Sequence, residues 1–119
     1  MPKYMMLIVE SEAKYAPSGD ADFAKVMQDH ADFATAVKDA GASILSGEAL
    51  QPTSTATYLR GTRTADAYTV DNPLPELKEV VGGYYLVEAA DDATAVALAK
   101  LCPAPYGHIE LRPIWEFGG

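Results

Sequence analysis

Residues 71–88 read Asp-Asn-Pro-Leu-Pro-Glu-Leu-Lys-Glu-Val-Val-Gly-Gly-Tyr-Tyr-Leu-Val-Glu, a turn leading through a polar segment and paired glycines into a strand. Asp71 is spaced to bond the backbone two residues on, and Pro73 fixes one dihedral, so the segment opens as a turn. Gly82-Gly83 ahead of a strand marks close backbone approach or a positive dihedral. Gly83 to Ala89 is apolar and of strand length. Asp91 or Asp92 then caps a helix over residues 93–101, Pro103 ends it, and His108 to Ile114 returns as a strand. The second half of the chain is therefore β-α-β.

Working back toward the N-terminus gives the same unit. Lys3 to Val9 is an apolar run of strand length, and residues 11–19, with Pro17, Ser18 and Gly19, read as a loop. Ser18 or Asp20 can cap the next helix. Over residues 21–40, Phe23, Val26, Met27, His30, Phe33, Ala34 and Val37 recur at helical spacing, with Asp22, Lys25, Asp29, Asp32 and Asp39 opposite. Gly41 is a natural stop. Ala42 to Leu50 is a strand ended by Gln51-Pro52. Residues 55–60 and 64–70 flank Gly61-Thr62-Arg63 as a hairpin, and residues 75–80 have room for one helical turn. The order β-α-β, hairpin, β-α-β predicts one domain over residues 1–119, a ferredoxin-like split βαβ sheet of α+β class with an inserted β-hairpin.

Two helices can cover only one face of such a sheet. Yet Tyr4, Met6 and Ile8 alternate with Met5, Leu7 and Val9, and Tyr84 and Leu86 alternate with Tyr85 and Val87, so both faces are apolar. A second copy stacked sheet to sheet would bury the open face, which predicts a homodimer.

The bulk composition excludes several roles. The net charge of −8 supplies no basic footprint for nucleic acid and no attraction to an anionic membrane. No apolar run approaches a transmembrane length and no signal peptide is visible. One cysteine, Cys102, permits no internal disulfide and no cysteine metal cage, which suits a cytoplasmic location. The two histidines and scattered acids match no metal-ligand spacing, and there is no phosphate-binding glycine loop, because Gly82-Gly83 enters a strand rather than a helix.

Several stretches together resemble the DGPF group of YCII-related proteins. Met5-Met6-Leu7-Ile8 resembles the family's opening strand, His30-Ala31-Asp32-Phe33 its helical His-x-x-Phe element, and Gly47 to Pro52 its Gly-x-x-Leu-x-Pro turn. Gly82-Gly83-Tyr84-Tyr85 and Glu110-Leu111-Arg112-Pro113 are similar to its last two strands. The DGPFAETKE motif is altered: Asp71, Pro73, Glu76, Lys78 and Glu79 remain, whereas Asn72, Leu74, Pro75 and Leu77 replace Gly, Phe, Ala and Thr. The resemblance implies a dimeric α+β barrel and a His–carboxylate pair in a small cleft.

His30 is the one titratable group on the apolar stripe of the first long helix, and its ordinary pKa lets it pass protons near neutrality. A histidine base needs a partner to fix its tautomer; Asp71 is the first candidate and Glu10 the second, with Glu48 behind them. Asp71 competes with its own role as a turn cap, and Glu10 with that of an exposed strand-end charge. Tyr84, Lys78 and Arg112 are the candidate substrate contacts, with Arg60 a further anion anchor. Tyr84 and Tyr85 point to opposite faces, so only one can line a given cleft. The residues and the resemblance leave two functions open. One is a cofactor-free enzyme that moves a proton on a small organic molecule in a dimer-associated cleft between helix, sheet and partner subunit, lyase- or isomerase-like by similarity to dehalogenating muconolactone-type relatives. The other, implied by the resemblance, is a non-catalytic ligand-binding or regulatory module linked to an extracytoplasmic-function sigma factor.

Overall fold

A computed structural model of the chain describes residues 1–15, 19–70 and 79–118. The elements are β1 (Lys3–Glu10), α1 (Glu12–Tyr15), α2 (Asp20–Asp39), β2 (Ser43–Ala49), β3 (Tyr58–Arg60), β4 (Tyr68–Val70), β5 (Val80–Glu88), α3 (Asp92–Ala99) and β6 (Gly107–Pro113), with a single 3₁₀ turn at Thr53–Thr55. Four strands form one antiparallel sheet in the order β2-β5-β1-β6, and β3 pairs with β4 as a separate hairpin. This is the ferredoxin-like α+β arrangement with the hairpin inserted between its second and third sheet strands.

Alternation along β1 sets the layers. Tyr4, Met6 and Ile8 are buried, while Met5, Leu7 and Val9 are half-buried. The buried set meets Val87 and Ala89 from the β5 segment, Phe33 and Val37 from α2, and Ala95 and Leu98 from α3 in one core. Both long helices therefore lie on the Tyr4 face. The molecule measures 48 × 46 × 18 Å, and its thin dimension holds one sheet and one helical layer, since a helix with side chains is about 10–12 Å across. No helix among the described residues is long and apolar enough to cross a membrane.

The helix ends reflect local chemistry. Asp91 caps α3, its carboxylate accepting the Thr94 backbone N–H at 2.8 Å. The buried Tyr4 hydroxyl donates to Asp92 at 2.5 Å and ties β1 to the same helix start; that bond, with burial, pushes the phenol up to about 12. The N-cap of α2 is Gly19, whose N–H donates to Asp22. Gly41, at φ 75°, turns the chain out of α2 into β2.

Three departures from expectation have physical causes. The α2 stripe is buried only in its C-terminal half: Phe33 and Val37 are covered, whereas Phe23 and Met27 are exposed, Met27 beside a cavity rather than packed against the sheet. The hairpin is shorter than its sequence suggested, three residues per strand, with Leu59 and Tyr68 exposed on it. Strand β5 starts at Val80 rather than Gly83, so both glycines lie inside it, where the register against β1 shifts between Ile8 and Val9. Most of the expected helical turn at residues 75–80 lies outside the described residues.

Candidate functional site

Two glycines shape the helix-facing side of the sheet. Gly47 of β2 pairs with Tyr85 of β5, and Ala49 with Gly83. A Cβ at Gly47 would stand 2.6 Å from Tyr85 Cδ1, so the Tyr85 ring occupies the space a side chain would take. At Gly83 a Cβ would meet the Glu48 carbonyl at 3.0 Å, and Ile8 Cδ1 lies 3.7 Å from it. The Tyr85 ring thus covers Gly47, while Gly83, with no side chain, leaves a gap between sheet and α2. A cavity of about 360 Å³ fills that gap, a size suited to a small organic molecule. Ile8, Val26, Met27, Leu50, Pro52 and Val80 make its walls largely apolar; Glu10, Ser11, Glu12, Tyr15, His30 and Tyr85 supply polar groups.

His30 projects from α2 to this hollow. Its Nδ1 lies 2.6 Å from the Tyr85 hydroxyl, the two rings are 5.7 Å apart, and Phe33 packs against Tyr85 with centroids at 4.8 Å. The tyrosine ring thus lies over the bare backbone of Gly47 and packs against Phe33. Burial moves His30 below its ordinary value and outweighs the opposing pull of the Glu10 and Asp29 carboxylates, so the imidazole is neutral near pH 7. Burial also raises Tyr85, which keeps its proton. Nε2 of His30 has no partner among the described residues, and none of their buried side-chain polar atoms is left unpaired. Nε2 is therefore accessible, and His30 lines the cavity.

Glu10 closes one end. Its Oε2 accepts the Tyr106 backbone N–H at 3.0 Å, which holds the carboxylate where β1 passes into α1. The rim is latched by Glu12, whose two carboxylate oxygens take the Thr53 backbone N–H and hydroxyl, each at 2.8 Å.

Of the residues singled out from sequence, His30 and Glu10 come together at this cavity; Glu48 borders it through its strand, but its pairing with Tyr84 sends its side chain to the opposite face. Asp71 and Lys78 lie outside the described residues. Tyr84 borders the cavity through its strand, but alternation sends its side chain to the face opposite Tyr85, beside Leu7. Arg112 does not join: it is opposite Met5 on the helix-free face, 70% exposed, and 3.5 Å from Glu110. Arg60 sits exposed on the hairpin. Sequence reasoning missed Tyr85 as the histidine's partner; the signal was the glycine that faces it across the β2–β5 pair. Cys102 is buried and its thiol is pushed up to about 12 by burial, the state of a packing residue rather than a nucleophile. No group of three or more His, Cys, Asp or Glu among the described residues could hold a metal ion.

A split βαβ sheet with a histidine-bearing hollow beneath its first long helix defines a small α+β domain with a candidate site. The sequence profile of the YCII-related domain matches residues 2–118, nearly the whole chain, and the protein belongs to that family. None of the curated proteins matches it in a sequence comparison.

Proposed function

We propose that the cavity binds a small organic molecule and that His30 transfers a proton to or from it without a cofactor. The observation that carries this reading is the His30–Tyr85 pair at 2.6 Å, which leaves Nε2 open to an apolar hollow. In this reading the Nδ1–H donates to the Tyr85 hydroxyl oxygen, so Nε2 carries the lone pair and is the base. Tyr85 takes the orienting role that a carboxylate plays in a triad, while Glu10 supplies negative potential that favours the imidazolium once a proton arrives. A base that removes a proton from one carbon and returns it to that carbon or a neighbour performs isomerase-like chemistry; where the electron pair left on carbon instead forms a double bond and expels a leaving group from the adjacent carbon, the same base performs lyase-like chemistry.

The test is proton exchange. Candidate small molecules are incubated with the protein in D₂O and monitored by NMR. The expected result is deuterium incorporation at an acidic C–H that is lost in His30→Ala. Exchange that persists in that variant would remove His30 from the mechanism.

The same proposal includes a homodimer. Met5, Leu7, Val9, Tyr84 and Leu86 form an apolar, half-buried sheet face with no helix over it, and a second copy is the partner whose shape and chemistry match it. The His30 cavity lies on the helix side of the sheet, so a partner stacked on the open face would not cover it, unlike the dimer-associated cleft expected from sequence. Analytical ultracentrifugation should give a dimer that Leu7→Glu dissociates; a wild-type monomer at high concentration would end this part of the proposal.

A further inference from the structure

Resting on the reading of the cavity as a ligand site, we propose that its ligand is a protonated amine with an apolar body, and that Glu10 receives the ammonium head. The charged residues that line the cavity among the described residues, Glu10, Glu12 and Glu48, are all acidic, and no lysine or arginine is among them. An anion would have to surrender its hydration beside Glu10 and Glu12 with no cation in return, a penalty that grows as the site dries.

Glu10 is built for the part. Its Oε2 is held by the Tyr106 N–H, which fixes the carboxylate plane, while Oε1 has no partner among the described residues. Because no buried side-chain oxygen among those residues is left unpaired, Oε1 is accessible. It therefore offers a positioned, unspent acceptor at the end of an apolar hollow. The charges acting on His30 are the carboxylates Glu10 and Asp29, and a neutral His30 adds a second acceptor at Nε2 without adding positive charge. Aromatic faces complete the setting: Tyr85 lines the floor, and Tyr15 lines the rim, edge-on to Tyr106 at 5.7 Å. A carboxylate with tyrosine rings is the combination that recognises alkylammonium groups, by charge-assisted hydrogen bond and by cation–π attraction.

The experiment uses three probes of one shape and different charge: phenethylamine, benzyl methyl ether and phenylacetate. Binding is monitored on the full-length protein through the His30 and Tyr85 NMR signals. The amine should bind at least about tenfold tighter than the neutral ether, and phenylacetate should be the weakest. Glu10→Gln, which keeps an acceptor for the Tyr106 N–H, should erase the amine's advantage and leave the ether's affinity unchanged. Equal or tighter binding of phenylacetate overturns the charge assignment but leaves the cavity a ligand site, as does an amine preference that survives Glu10→Gln. If none of the three perturbs His30, the ligand-site reading falls with it. Should Glu10→Gln not fold, the order of the three probes on the wild-type protein decides the matter.

Discussion

Gly47→Ala tests the packing that seats Tyr85 at the cavity. A Cβ there would lie 2.6 Å from Tyr85 Cδ1, 3.0 Å from Cε1 and 3.1 Å from the Tyr84 carbonyl oxygen. A flexible side-chain end could give way, but the Tyr85 ring is fixed by Phe33 on one side and His30 at its hydroxyl. Overpacking of this kind costs about 1–3 kcal/mol. If the ring swings away, the His30 hydrogen bond is lost as well, at about 1 kcal/mol. The backbone gain of alanine over glycine in a strand, about 0.5–1 kcal/mol, offsets only part of this. The net expectation is a loss of about 1–3 kcal/mol, or a fall in Tm of roughly 5–15 °C for a domain of this size. Urea unfolding measures it directly. In a Tyr85→Ala background the ring contacts are gone and only the 3.1 Å approach to the Tyr84 carbonyl oxygen remains, so the same substitution should cost at least about 1 kcal/mol less than in the wild type. A cost below about 0.5 kcal/mol in the wild type, or an equal cost in both backgrounds, would refute the packing argument. Gly19→Ala, where an added Cβ meets nothing within 4 Å, is the matched control.

Two further outcomes are expected. The folded state holds His30 below its ordinary value, so the unfolded chain takes up the proton first as pH falls; the contribution of this residue to stability is full above about pH 6.5 and is lost progressively below it. Comparing urea midpoints of wild type and His30→Asn from pH 8 to pH 5 should show the shallower acid-side decline in the variant; parallel curves would contradict the burial of His30. Tyr4 should be the late-ionising phenol, near pH 12, in a spectrophotometric titration, because its proton is committed to Asp92; Asp92→Ala should bring that phenol down toward the ordinary range near 10, and an unchanged titration would mean the bond is absent.

The order of strands along the chain and both long helices were legible because their signals are local and repeated: the α2 stripe and the alternation in β1 each carry a clear period, while the α3 cap was narrowed to Asp91 or Asp92 and the structure selects Asp91. The site was legible in part. His30 stood out as the lone titratable group on an apolar face, and Glu10 as the acid ending β1. Its partner was not, because choosing Tyr85 over Tyr84 requires knowing which strand face lies under α2, and a one-residue shift exchanges them. The role of Gly47 was hidden for the same reason: its neighbour across the β2–β5 pair is 38 positions away in sequence. Arg112 looked like an anion anchor until the β1–β6 register placed it opposite Met5 on the far face. The four-residue α1 and the Glu12–Thr53 latch carry too little pattern to be read from sequence.

His30 is held to be a neutral base, oriented by Tyr85 and open to the cavity. Imidazole ¹⁵N NMR across a pH titration measures all three properties at once. The expected result is a midpoint below 6.5, an Nδ1–H tautomer in the neutral form that becomes mixed in Tyr85→Phe, and an Nε2 signal that moves when a ligand enters. A midpoint above 6.5, or an Nε2–H tautomer indifferent to both Tyr85 and ligand, would contradict it.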